Sequence, residues 1–96
     1  MHKTEQLLLS LGELIKGTRT LSMDQEELGL RTGIGRNTIS AIENGRGANA
    51  KLLFSVMEQL ELIDDFQALV DDKLSATSNK LVRKSRKEVE SLSNDF

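Results

Sequence analysis

The sequence predicts an all-α fold, and three observations predict it. None of the 96 residues is Pro and only Phe54, Phe66 and Phe96 are aromatic, while Leu, Ile, Glu and Lys abound, a composition that favours helices over sheets. Apolar residues recur three and four positions apart in several stretches, the spacing of one face of a helix. Between those stretches lie Asp, Asn and Gly at positions where helices are commonly capped. A chain of this length forms one domain with a thin core, burying about two-thirds of its unfolded surface.

The elements follow in order. Leu7, Leu8, Leu11, Leu14, Ile15 and Thr18 share one helical face, and Thr4 is a candidate N-cap, so a first helix is predicted over about residues 4 to 18. Asp24 followed three residues later by Glu27 resembles a capping box and opens a short helix, 24 to 32, whose Leu28 points inward and which Gly33 stops. After Ile34 and Gly35, a third helix runs from Arg36 to Asn44. It has Ile39 and Ile42 on its inner side, Gly35 as N-cap and Asn44-Gly45 as its C-terminal signal. Asn49 caps a fourth helix, with Leu52, Leu53, Val56, Met57 and Leu60 as its apolar stripe. Ile63, Phe66, Leu69 and Val70 predict a shorter fifth helix near 64 to 71. From Ser75 the run Ser-Ala-Thr-Ser-Asn reads as a linker. The Lys/Arg-rich stretch beyond it, with Leu81, Val82, Val89 and Leu92 as its few apolar anchors, reads as a flexible, disordered basic tail. The expected organisation is therefore a domain at 1–74 and a linker and tail at 75–96.

Charge and composition exclude several classes of function. With no Cys there is no disulfide framework, thiol nucleophile or Cys-ligated zinc, and the expected compartment is the reducing cytoplasm. No apolar run reaches a signal-peptide core or the roughly 18 residues of a membrane span, so a soluble chain without membrane contact is expected. The single His, His2, sits at a frayed end rather than in a site. Residues 45 to 52 resemble a phosphate loop only superficially, since Ala50 and Leu52 replace the required Gly and Ser/Thr. Gly33-Ile34-Gly35 lacks both the third glycine and the preceding strand of a dinucleotide site. Asp64-Asp65 and Asp71-Asp72 read as solvated pairs rather than a cation site, so no enzyme, cofactor or metal is expected.

The formal net charge of -2 argues against nucleic acid only until its distribution is read. Residues 1 to 47 carry six basic and six acidic groups. Residues 48 to 79 carry two and six, and residues 80 to 96 five and three. Acidity is thus concentrated away from the one segment with recognition chemistry, Gln25 to Gly45. There two short helices cross closely through a tight turn. Gly29 supplies the small residue where backbones meet, and Gly33 the positive φ the turn needs. With Leu28, Ile34, Ile39 and Ile42 inward, Arg36, Asn37, Ser40 and Ala41 occupy the free face of the second helix. Arg36 has the fork for guanine O6 and N7, and Asn37 the amide for adenine.

On these residues, with Gln25 opening the first helix, the turn Gly33 and the closing Ile-Glu-Asn-Gly-Arg at 42–46, the chain resembles the lambda-repressor-like helix-turn-helix family over roughly residues 5 to 70. The resemblance implies a five-helix DNA-binding domain with Gln25 set against a phosphate. It implies Arg36 and Asn37 on bases, Thr38 on a base or phosphate, Ser40 and Ala41 on the groove floor, and Asn44 and Arg46 on the backbone. Two positions depart from the pattern: Gly29 stands where Ala is usual, and Thr32 where the family is usually apolar. One recognition helix reads few base pairs, so a homodimer on palindromic double-stranded DNA is implied, with Leu62, Ile63, Phe66, Leu69 and Val70 as its candidate interface. The stretch from Gly47 to Val70 followed by a basic tail is further similar to HipB-type antitoxins, which implies autorepression of an operon and a HipA-type kinase toxin as partner. In that case Asp64, Asp65, Asp71 and Asp72 would face the toxin. A stand-alone or phage-type repressor, and a helical protein-binding adaptor that leaves its helix-turn-helix unused, are the alternatives.

Overall fold

The structure, a computed structural model, describes residues 2–88, with side chains through Arg83. Five helices follow one another: α1 His2–Thr20, α2 Gln25–Thr32, α3 Arg36–Glu43, α4 Ala50–Gln59 and α5 Ile63–Glu88. No strand occurs among the described residues, and the fold is the all-helical, five-helix one the sequence predicts. By its contacts the chain divides into two units, Met1–Asp64 and Asp65–Phe96.

In the first unit α3 packs on α1 and α2, and α2 also packs on α4. Ile15, Leu28, Ile39, Val56 and Met57 are fully buried between them, each contributing about 1.5–3 kcal/mol by removal from water. The buried face of α1 is Leu11, Gly12, Ile15 and Arg19, narrower than expected, because Leu7 and Leu14 are 61% and 48% exposed. Gly12 sets that width. A Cβ on it would lie 2.6 Å from the carbonyl oxygen of Ile42 and 2.7 Å from that of Glu43, so the α1 backbone meets the last turn of α3 directly and flanking leucines stay outside. Helix α1 also begins earlier than predicted. Thr4 is an interior residue, not a cap, and His2 is helical and exposed rather than frayed.

The caps of α2 to α4 follow local chemistry. The Asp24 carboxylate accepts the Glu27 N–H at 2.8 Å. The reciprocal half of the capping box is not made, because the Glu27 carboxylate takes the Arg31 Nε–H at 2.8 Å instead. Asn49 Oδ1 accepts the N–H groups of Lys51 and Leu52, satisfying two of the donors that open α4. Leu62 closes α4 by donating its N–H to Met57 O across a left-handed Glu61, φ 62°.

Helix α5 overturns two expectations. It does not stop at residue 71, and Ser75–Asn79 is not a linker, since the helix runs without a break to Glu88. Ser, Thr and Asn each weaken a helix by only a few tenths of a kcal/mol, whereas the residues that end one, Gly and Pro, are absent from 63–88. Four Asp lie in the first ten residues of α5 and Lys and Arg dominate the rest, an order that complements the helix dipole. Gln67 donates to Asp71 along the helix at 3.0 Å. The expected disordered tail is thus helical through residue 88, and its remainder, 89–96, lies outside the described residues.

Candidate nucleic-acid interface

The interface is built on the turn between α2 and α3. Gly33 ends α2 with φ 72°, its N–H donating to Gly29 O at 2.8 Å. Gly29 itself is a close-approach residue, since a Cβ there would sit 2.9 Å from Ile34 O. This explains one departure from the family pattern: in this turn an Ala would press on the backbone. The other, Thr32, is explained by its hydroxyl, which donates to Leu28 O at 2.7 Å and accepts the Ile34 N–H at 3.3 Å. It thereby serves a half-buried turn that an apolar side chain would leave one bond short. Gly35 then caps α3 with its carbonyl, which accepts the N–H groups of Thr38 and Ile39.

Ile39 and Ile42 turn inward and are buried. Arg36 and Asn37, in the first turn of α3, are exposed, while Thr38, Ser40 and Ala41 are half-buried. Asn44 is exposed at the C-cap and donates its amide to Ser40 Oγ at 3.3 Å. Arg46 is exposed, and its backbone N–H closes the end of α3 on Ala41 O at 2.9 Å. Gly45, between them, has φ 75°, and a Cβ there would meet Leu9 of α1 at 2.7 Å. The exit of the chain from α3 is therefore pinned against α1.

Gln25 is half-buried, and its amide Nε2 donates one N–H to Glu43 Oε1 at 3.0 Å. Its partner belongs to a network that composition and spacing did not disclose. Arg19 donates to Glu43 through Nε at 2.6 Å and through Nη2 at 3.1 Å, and through Nη1 to Met23 O at 3.1 Å. The two charged side chains are 8% and 2% exposed. The network ties the end of α1, the start of α2 and the end of α3 together. A sequence signal did exist: Arg19 lies four residues after Ile15 and eight after Leu11, on the buried face of its helix.

The electrostatic result is specific. Glu43 is the only carboxylate on α3, and it is turned inward and paired with Arg19. The outer face of α3 therefore carries Arg36 and neutral hydrogen-bonding groups, with the positive end of the helix dipole beside them. Asp24 and Glu26 rim the depression that Arg19, Gln25 and Arg36 also line, so negative charge stands to one side of Arg36. A polar surface with one guanidinium and one amide at a helix start is suited to base edges and phosphates.

A helix-turn-helix family model matches residues 11–63, just over half of the chain. The chain belongs to the helix-turn-helix family. The match begins at Leu11, the first buried residue of α1, and ends at Ile63, where α5 starts, so it spans the buried residues of the packed unit and leaves out the first half of α1. As a lambda-repressor-like helix-turn-helix protein it is a DNA-binding regulator of transcription. No curated protein and no solved structure matches this helix-turn-helix chain. Among its described residues no helix is long and apolar enough to cross a membrane.

Proposed function

We propose that this chain is a sequence-specific transcriptional repressor that binds a palindromic operator as a homodimer and represses its own operon. The observation that carries this reading is the polarity of α3: both of its isoleucines and its one carboxylate point inward, and Arg36 and Asn37 stand exposed at its N-terminal end. In the major groove Arg36 bonds guanine and Asn37 adenine. Thr38 meets a base or phosphate, and Ser40 and Ala41 lie along the groove floor. Asn44 and Arg46 hold the sugar–phosphate backbone. Gln25, fixed by Glu43, sets the first turn of α2 with its free N–H groups toward a phosphate.

DNA from upstream of the chain's own gene tests the reading. A footprint with two half-sites about 34 Å apart, and affinity that falls steeply with salt, are expected. Binding that is weak and equal on unrelated DNA would overturn it and leave α3 as scaffold.

The finer reading is that the repressor is the antitoxin of a HipA-type kinase toxin. It rests on the resemblance of residues 47–70, of which 64–70 lie beyond the matched helix-turn-helix, and of the basic residues after them, and on the exposed aspartates Asp64, Asp65, Asp71 and Asp72, which suit a basic partner surface. Copurification with a kinase-sized protein encoded beside the gene is expected. A gene with no such neighbour would reduce the function to that of a stand-alone repressor.

A further inference from the structure

Arg36 has close neighbours of opposite charge at the start of α3. It lines a depression of about 330 Å³ together with Arg19, Asp24, Gln25 and Glu26. Glu26 and Arg36 also line a second depression with Gly29, Leu30 and Ile34, so these two side chains border the same gap between α2 and α3. Asp24, Glu26 and Arg36 are all exposed. The other carboxylates of the two helices are taken: Glu43 is held by Arg19, and Glu27 by Arg31. Among the described residues no ion pair engages Asp24, Glu26 or Arg36. With Arg19 neutralised by Glu43, the depression sets one guanidinium against two carboxylates and is net negative.

That charge separates the two kinds of ligand a guanidinium meets on DNA. A guanine edge offers O6 and N7 as acceptors and carries no net charge. A phosphate offers acceptors too, but with a full negative charge. On an operator Arg36 has a neutral base edge to bind. On unrelated DNA, with no guanine in place, its remaining ligand is a phosphate, which must be drawn toward the depression against Asp24 and Glu26. Like charges set against the wrong ligand lower its affinity without strengthening the right one.

We infer that Asp24 and Glu26 are specificity-determining residues: they hold the Arg36 guanidinium off phosphates, so that only a base edge satisfies it. The inference rests on the base-reading role of Arg36 and gives the reason why binding without the right base is weak. Whatever the two carboxylates cost the phosphate beside Gln25, they cost it on every sequence, and that cost cancels from the ratio of two affinities. Their effect on the ligand of Arg36 does not cancel.

Glu26→Gln and Asp24→Asn each remove one charge with little change of shape, and Asn caps a helix as well as Asp does; circular dichroism checks that the fold is kept. The affinities of the full chain for the fragment upstream of its own gene and for a scrambled fragment of equal length are measured over a range of salt. Each substitution is expected to tighten the scrambled fragment about fivefold more than the upstream one at low salt, the effect of one charge at contact distance across water, and this difference is expected to shrink as salt rises. In an Arg36→Ala chain the same substitutions are expected to leave the ratio unchanged, since no guanidinium remains to be misdirected.

An equal gain on both fragments, or no gain, would overturn the inference while leaving Arg36 as a reader of bases. So would a fall in discrimination that persists without Arg36 or is indifferent to salt. A chain with no preference for the upstream fragment, or one whose preference survives Arg36→Ala, would overturn the base-reading account and this inference with it.

Discussion

Replacing Arg19 by Met removes the centre of the network that fixes α3. Arg19 makes three hydrogen bonds, two of them to Glu43 and one to Met23 O. With Arg19 gone, a carboxylate that is 2% exposed keeps only the Gln25 amide. Breaking one side of a buried ion pair costs about 3–5 kcal/mol, because the remaining charge is desolvated without compensation. Domains of this size have a total of about 5–15 kcal/mol, and each kcal/mol moves the midpoint of melting by about 4–8 °C. The expected fall in Tm is therefore at least about 12 °C. Urea unfolding followed by far-ultraviolet circular dichroism measures the loss, with an unchanged slope marking a change in stability alone. The double variant Arg19→Met, Glu43→Leu removes both charges and is expected to recover most of the loss, since an apolar pair of similar volume is often an even exchange for a buried salt bridge. A cost below about 1 kcal/mol for Arg19→Met, the level of exposed ion pairs, would refute the reasoning. So would a double variant as unstable as the sum of the two single ones.

Two glycines of α1 predict opposite signs for one substitution. Gly12→Ala drives a Cβ into two carbonyl oxygens of α3 and is expected to destabilise by about 1–3 kcal/mol, whereas Gly17→Ala meets nothing within 4 Å and is expected to stabilise by about 0.5–1 kcal/mol; thermal melts of the two should move apart. Asn49→Ala removes the acceptor for two N–H groups at the start of α4 and is expected to cost about 1 kcal/mol, seen as a lower urea midpoint.

How far the fold could be read from the sequence depended on whether its causes were local. The turn at Gly33, the carbonyl cap at Gly35 and the side-chain caps at Asp24 and Asn49 are each dictated within four residues, and all four occur as expected. Inward Leu28, Ile39 and Ile42 are equally legible, because period 3.6 leaves few choices on helices of eight residues, and Ile34 follows as the one apolar side chain of the turn between them. The width of the α1 face was not, because it depends on how closely another helix approaches, and Gly12 carries no periodic signal. The run Ser75–Asn79 looked like a linker by composition, but a helix already propagating through 63–74 needs a stronger interruption than small polar residues.

At the candidate interface, the exposed positions Arg36 and Asn37 followed from the buried ones by simple geometry. Gln25 did not, since its hydrogen-bond partner Glu43 is eighteen residues away, and a pattern over neighbouring residues cannot reveal that contact. Arg19 and Glu43 stand twenty-four residues apart and balance each other in any charge count, so only the place of Arg19 on the buried face of α1 marks the pair in the sequence.

The central claim is that the outer face of α3 reads bases, and Arg36→Ala tests it most directly. The measurement is the affinity of the purified chain for the fragment upstream of its own gene and for a scrambled fragment of equal length, at matched salt, with and without the substitution. Loss of about 1–3 kcal/mol of discrimination between the two fragments, with the folded state unchanged by circular dichroism, is the result the account predicts. Equal discrimination with and without Arg36, or an equal loss on both fragments, would contradict it: the guanidinium would then have no role in binding, or would hold phosphates without reading sequence.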